Sequence, residues 1–243
     1  MVRNEPFVTY AVKSVYPYVD KILLYDTGSD DAHTLEDIKE LCDNDVENKI
    51  VFESVPTEYD ETSWTTKTHT RLALANTGKR GKWWVRQKMI DDTDTKFFMI
   101  LDGDEIHYRG TMIKIQQLIN DWPKDKLCGF LPLRWFSSME YTFKTSKSGR
   151  VFVTDEISII EKSPGEIHTV KKTSEKIGLN SSCAFMISDV IPYAHFEKLI
   201  KPWRRRVQNE SILPFFGDLP EVMQDSKIIR RTLSEGPNSQ YTS

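Results

Sequence analysis

The sequence contains no run approaching the roughly 20 apolar residues that a membrane-spanning helix requires, so no membrane span is expected. Cysteine is scarce. Cys42, Cys128 and Cys183 are odd in number, far apart and without a Cys-x-x-Cys pair, which excludes a disulfide framework and a cysteine zinc site as organising devices. Their expected role is that of small buried hydrophobes. A basic excess is also missing: 33 Lys and Arg stand against 36 Asp and Glu, a net charge of -3. Indiscriminate nucleic-acid binding by the whole surface is therefore not expected. The opening Met1-Val2-Arg3-Asn4-Glu5 lacks the apolar core of a signal peptide, and a cytoplasmic protein is the expectation. No internal repeat or low-complexity tract is present.

What the chain does have is the balance of an ordinary globular domain, 39% apolar and 28% charged over 243 residues, enough to bury a sizeable core. One domain is expected over residues 1–233, with a ligand-binding front half at 1–108, a second-site half at 109–233 and a flexible tail at 234–243. Charge is unevenly placed. Lys79, Arg80, Lys82, Arg86 and Lys88 crowd into ten residues with no acid, and Lys198, Lys201, Arg204, Arg205 and Arg206 form a second basic cluster.

The front half alternates strand-like and helix-like stretches, the pattern of an α/β domain with a mostly parallel sheet flanked by helices. Ile22-Leu23-Leu24-Tyr25 reads as a strand that ends in the polar turn Asp26-Thr27-Gly28-Ser29-Asp30-Asp31. Leu35, Ile38, Leu41 and Cys42 then recur at helical spacing, with Thr34 and Asp37 placed as a capping box. Ile50-Val51-Phe52 supplies another strand, residues 56–69 a loop, and residues 70–91 one or two helices interrupted near Gly78 and Gly81. Ile115, Leu118, Ile119 and Trp122 describe an amphipathic helix that stops at Pro123. Beyond it the pattern turns strand-rich, over 128–133, 151–153 and 157–160.

The most telling segment lies between. Phe97-Phe98-Met99-Ile100-Leu101 reads as a buried central strand, and it breaks into Asp102-Gly103-Asp104-Glu105. Three carboxylates at one strand end repel one another unless something neutralises them. A divalent cation with a preference for oxygen, Mg²⁺ or Mn²⁺, answers that need through one or two protein carboxylates and substrate phosphates. Asp-Gly also marks tight turns, so a solvated acidic turn is the alternative.

Three segments in this order resemble the GT-A fold glycosyltransferases, in particular the small family-2-like enzymes. Asn4-Glu5, Ser14-Val15 and the strand 19–25 running into Asp26-Thr27-Gly28-Ser29-Asp30-Asp31 resemble that family's opening. Arg86, sixteen positions before Asp102, is similar to the arginine on the helix that precedes the acidic strand end, and Asp102-Gly103-Asp104-Glu105 resembles the Asp-x-Asp motif with its trailing Glu. The match is firm over about residues 1–108 and loose beyond. One departure stands out: family members carry a hydrophobic strand before the Asn-Glu, and here only Met1-Val2-Arg3 precede it, so the first strand is truncated or formed otherwise.

The resemblance implies a metal-dependent, inverting transfer of a sugar from a nucleotide-sugar donor, a UDP-sugar first among candidates, to a hydroxyl acceptor. It places Glu5, Asp26, Gly28, Ser29, Arg86 and Asp102 at the nucleotide sugar and Mn²⁺ or Mg²⁺ on Asp104 and a distant histidine. His195, in Tyr193-Ala194-His195-Phe196, is the best-placed of five histidines, with His107 its main competitor and His33 and His69 weaker. Open α/β sheets bind ligands at the carboxyl ends of their strands, where Asp26 and Asp102 both fall. Negative charge builds on the leaving diphosphate, and a metal at Asp104 with Arg86 beside it would stabilise that charge. An inverting enzyme also needs a base. Glu166 and His168 are the first choices, because Pro164-Gly165-Glu166-Ile167-His168 loosely resembles the acceptor-side segment with the two side chains in reversed order; Asp155 and Glu156 are alternatives.

The acceptor is less constrained. Lys79-Arg80-Gly81-Lys82-Trp83-Trp84-Val85-Arg86 and Lys201-Pro202-Trp203-Arg204-Arg205-Arg206 mix cations with aromatics, which suits a saccharide or, through phosphate contacts and stacking, a modified base in DNA flipped out of its stack. A saccharide acceptor of cell-surface polysaccharide synthesis, a nucleotidyltransferase and a noncatalytic sugar-binding module are the competing readings. The nucleotidyltransferase is disfavoured because the strand-to-helix turn here is Asp26-Thr27-Gly28-Ser29-Asp30 rather than a Gly-rich loop followed by a basic residue.

Overall fold

The computed structural model describes residues 1–57, 82–136, 141–143, 146–154, 157–163, 166–171, 183–196, 212–215 and 217–224, with backbone alone for residues 82, 83, 141, 143, 146, 157–163, 166–171 and 212–214. The chain opens with helix α1, Val8–Val15, which buries Val8, Ala11, Val12 and Val15. Strand β1, Ile22–Asp26, follows and pairs in parallel with β2, Ile50–Ser54, in a register that sets Ile22 against Ile50 and Asp26 against Ser54. The connection is helix α2, Ala32–Asp43, in the crossover expected of parallel strands. Its N-cap is Asp31, whose carboxylate accepts from the Thr34 amide at 2.7 Å. The Thr34–Asp37 capping box anticipated from sequence is thus displaced by three residues, because the Asp26–Asp31 turn carries its own capping carboxylate.

Helix α3, Lys82–Asp91, lies over β1, where Val85 packs with Tyr25 and Val55. The apolar run near residue 100 forms the short strand β3, Phe97–Met99, and the acidic turn leads into β4, Glu105–Ile106. Helix α4 spans Arg109–Asn120 and buries Met112 and Ile115. Then come β5, Cys128–Trp135; β6, Tyr141–Phe143; β7, Ser146–Val153; β8, Ile157–Ser163; β9, Glu166–Lys171; β10, Ala184–Met186; β11, Tyr193–His195; and β12, Ile212–Pro214. The strand-rich second half expected from sequence is borne out.

The fold is mixed α/β. A six-stranded sheet runs in the order β3-β7-β5-β11-β4, with β10 also on β5, while β1-β2, β6-β12 and β8-β9 are two-stranded. Parallel pairing holds for β1-β2, β5-β10 and β5-β11, whereas β3-β7, β5-β7 and β4-β11 are antiparallel. The sheet is less uniformly parallel than the front-half pattern suggests, since β5 and β7, with only the short β6 between them, are too close in sequence for a crossover helix. β3 is not the buried central strand its composition suggests: it is half-buried and, among the described residues, hydrogen-bonded to a neighbouring strand, β7, on one edge only. The main core joins Val8, Val12, Leu24, Ile38, Met112, Leu131 and Val151. Among the described residues no helix is long and apolar enough to cross a membrane.

Candidate active site

The end of β1 is a turn that satisfies itself. Asp26 is buried, and its carboxylate accepts from the Ser29 amide at 3.0 Å, the Gly28 amide at 3.3 Å and the Ser29 hydroxyl at 2.6 Å. Gly28 sits at φ 102°, a conformation that glycine adopts without steric cost. Asn4 closes the turn from outside: its amide nitrogen donates to Asp30 at 2.6 Å, its carbonyl oxygen accepts from the Asp30 amide at 3.0 Å, and its backbone N–H donates to the Ser29 hydroxyl at 2.9 Å. The conformation at Asn4, φ 50°, is one that asparagine tolerates better than most residues.

The acidic turn after β3 stands beside this one. A Cβ on Gly103 would come within 2.9 Å of Val2 and 3.0 Å of Glu5, so the glycine permits a close approach between the chain's first residues and the Asp102–Glu105 turn. Glu5 is buried in that contact. Here the carboxylates are met by charge. Arg86 binds Asp102 at 2.9 Å, and Arg150 reaches Asp102 at 3.7 Å while its other nitrogen pairs with Glu105. Arg150 also donates from Nε to the Tyr193 hydroxyl at 2.8 Å. Glu105 in turn accepts from the Asp102 amide at 3.1 Å and fixes the turn.

Electrostatics separate these acids. Burial pushes the Asp102 carboxyl up, but Arg86 first and then Arg150 outweigh it and hold the group well below the usual carboxylate range. Glu105 is buried more completely, and desolvation lifts its carboxyl to about 7 against the pull of Arg150. The repulsion that the sequence assigns to a metal is therefore met in good part by two arginines of the protein.

Asp104 and His195 form the remaining pair. Strand β11 pairs antiparallel with β4, setting His195 opposite Glu105, and the Phe196 amide donates to the Asp104 carbonyl at 2.9 Å. That register brings His195 Nε2 to 3.3 Å from Asp104 Oδ1, with both side chains more than nine-tenths buried. The imidazole stacks on Trp135, centroids 3.9 Å apart. Burial alone would lower the pKa of His195, but Asp104, by charge and hydrogen bond, and then Glu105 raise it to about 9. Its Nδ1 has no hydrogen-bond partner among the described residues. An imidazole nitrogen facing a carboxylate oxygen is a donor set that suits Mn²⁺ or Mg²⁺ once the histidine is neutral. No group of three or more His, Cys, Asp or Glu side chains is placed to hold a metal ion together among the described residues, so an ion here would draw its other ligands from phosphate and water.

His107, the competing histidine, is a core residue: it is 1% exposed and stacks on Tyr193. His33 is exposed and lies 4.0 Å from Glu36. Glu166 and His168 lie on β9, opposite Ser163 and Ile160 of β8; their side chains fall outside the described residues, as do His69, Asp155, Glu156, most of the first basic aromatic segment, the whole of the second and the tail. Sequence reasoning missed Arg150, Tyr193, Trp135 and the latching role of Asn4. Arg150 did leave a signal, a single cation set against Val151-Phe152-Val153 in an apolar strand.

No family model matches this sequence, and no curated protein matches it. Among solved structures the fold is similar to that of residues 1–349 of S. aureus TarS, a glycosyltransferase. The identity is 12% and the TM-score 0.49, over 81% of this chain and 59% of that one. The chain thus spans less than two thirds of that structure's length.

Proposed function

We propose that this chain is a GT-A-like glycosyltransferase that moves a sugar from a nucleotide-sugar donor, a UDP-sugar first among candidates, to a hydroxyl acceptor. The observation that carries the reading is the pairing of Asp104 with His195 at 3.3 Å beside the Arg86–Asp102 pair at 2.9 Å, two anion-handling and cation-handling pairs at one strand end. Asp104 and His195 would hold Mn²⁺ or Mg²⁺, which when bound supplies Lewis-acid stabilisation to the departing diphosphate. Arg86, about one quarter exposed, is free to turn its outer nitrogens to the same phosphates. Asp102, kept ionised by Arg86 and Arg150, accepts hydrogen bonds from hydroxyls of the donor. Glu105 and Arg150 hold the turn in place from below, and Glu166 or His168 on β9 takes the acceptor's proton in the inverting reading.

The test is release of UDP from a panel of UDP-sugars with Mn²⁺, measured with saccharide acceptors and with DNA carrying hydroxymethylated bases. Turnover with one donor supports transfer, and the acceptor that raises the rate identifies the second substrate. Binding of free glycan with no nucleotide dependence would replace this reading with a sugar-binding module.

A further inference from the structure

Helix α3 stands astride two sheets. Ile90, four residues after Arg86 and so on the same side of the helix, packs with Phe98, Cys128 and Phe152 of the six-stranded sheet. Val85 and Met89 lie over Tyr25 of β1. Lys88 and Asp92 are again four apart, and they close the helix onto β1 and β2. Among the described residues no strand pairing joins β1-β2 to the six-stranded sheet, so α3 links the sheet that ends in Asp26 directly to the strand that leads into Asp102.

Four polar groups make the closure on the β1-β2 side. Lys88 Nζ stands 2.5 Å from Asp92 Oδ2, 3.0 Å from Glu53 Oε2 and 3.4 Å from the Tyr25 hydroxyl, and it lies 5.2 Å from the centre of the Tyr25 ring. Tyr25 is buried and donates its hydroxyl to Asp92. The Asp92 amide donates to the Lys88 carbonyl at 2.9 Å, so the last helical turn holds the two side chains together. One ammonium thus answers an acid from β2, an acid from the helix end and a phenol from β1. The bonds to Asp92 first, and then to Glu53, raise the pKa of Lys88, and the cation persists through neutral pH. This lysine belongs to the acid-free basic run of the sequence, yet the fold commits it to internal carboxylates.

Arg86 leaves the helix on the other side. Residues two apart on an α-helix project about 200° apart, so Arg86 and Lys88 point in nearly opposite directions, Arg86 to Asp102 at 2.9 Å. Its guanidinium reaches the acidic turn from wherever the helix is seated. Without the Lys88 ammonium, Glu53 and Asp92 would face each other unneutralised across the seam between helix and sheet, and their repulsion would push the end of α3 off β1.

We propose that Lys88 is a positioning residue for Arg86: held by Glu53, Asp92 and Tyr25, it seats α3 on β1 and β2 and thereby sets where the Arg86 guanidinium meets Asp102 and an incoming diphosphate. The diphosphate in this statement rests on the function proposed above. Lys88 acts through Arg86 and touches neither donor nor ion.

The experiment is a double-mutant cycle. UDP affinity with Mn²⁺ is measured by calorimetry for the wild type, Lys88→Met, Arg86→Ala and the double variant, and solvent exchange of the arginine side-chain Nε–H groups is read by NMR without nucleotide. Lys88→Met is expected to weaken UDP binding about fivefold in the wild-type background and less than about twofold in the Arg86→Ala background. It should also speed exchange at Arg86 Nε–H about tenfold, with Arg150, bonded to Tyr193 and Glu105, near its wild-type rate. Glu53→Ala cuts the link to β2 but leaves the Lys88–Asp92 pair; it should move both readings the same way by a smaller factor, and it decides the matter if Lys88→Met does not fold. Equal losses in the two backgrounds, or unchanged exchange at Arg86 in both variants, would make Lys88 a general stabiliser and overturn the proposal. Absence of UDP binding by the wild type would instead strike the proposed function, and exchange at Arg86 would then decide the positioning role alone.

Discussion

The two strand ends that meet at Val2 and Gly103 handle acidity in opposite ways. After β1, Asp26 is satisfied by neutral donors, two backbone amides and the Ser29 hydroxyl, with Asn4 latching the outside. After β3, Asp102, Asp104 and Glu105 are satisfied by cations, Arg86, His195 and Arg150. A turn held by neutral hydrogen bonds is complete as it stands. One held by charge can exchange a partner for a ligand of like charge, and it is at this second end that the proposed function seats the ion and the diphosphate.

The largest expected effect sharpens that contrast from below. Arg150→Met removes the buried cation from Glu105 and Asp102 and is expected to cost about 3–5 kcal/mol, measured by urea unfolding; a loss under about 1 kcal/mol would mean that Arg150 does not hold the charged end together. Asn4→Ala probes the neutral end. Losing its hydrogen bonds to Asp30 together with a residue suited to positive φ should cost about 2 kcal/mol, equally at pH 6 and pH 8.

Acid dependence gives a third way to separate the ends. Burial first, and then Arg150, lowers the pKa of His107 to about 3, so it folds neutral and must charge to unfold. Its contribution is fully present above about 6.5 and is lost as pH falls from there toward 3, at up to about 1.4 kcal/mol per pH unit. His107→Leu should flatten that slope in a pH series of unfolding midpoints, and an unchanged slope would place the acid sensitivity elsewhere. The smallest stability effect belongs to Arg86→Ala. Half-buried at the rim, this pair should be worth no more than about 1 kcal/mol to folding, yet the variant is expected to lose at least tenfold in nucleotide-sugar affinity by calorimetry.

Much of this contrast was readable before any fold was known. Strands β1 and β2 and helix α2 announce themselves by apolar runs and spacing, and Arg86 and Asp102 stand out through the family resemblance of their segments, although the ion pair between them does not. What stayed hidden depends on long-range register. Arg150 meets Glu105 only because β7, β5, β11 and β4 pair in that order, which no local pattern encodes; the meeting of His195 with Asp104 rests on the same order and was expected through the family resemblance alone. Helix α1 escaped notice because its valines favour strands as readily as helices. The apolar run at 97–101 promised a central strand, and it lies instead beside a cavity with one edge unpaired among the described residues; local composition reports the burial a strand wants rather than which neighbours supply it.

Calorimetric titration of UDP into the wild-type chain and into Asp104→Asn, each with and without Mn²⁺, tests the central assignment most directly. UDP should bind the wild type only with Mn²⁺ and bind Asp104→Asn at least tenfold more weakly, with the variant, destabilised by loss of the buried partner of His195, still folded by circular dichroism at the temperature of the titration. Equal UDP affinity without the ion, or full affinity in Asp104→Asn, would contradict the seat built from Asp104, His195, Asp102 and Arg86.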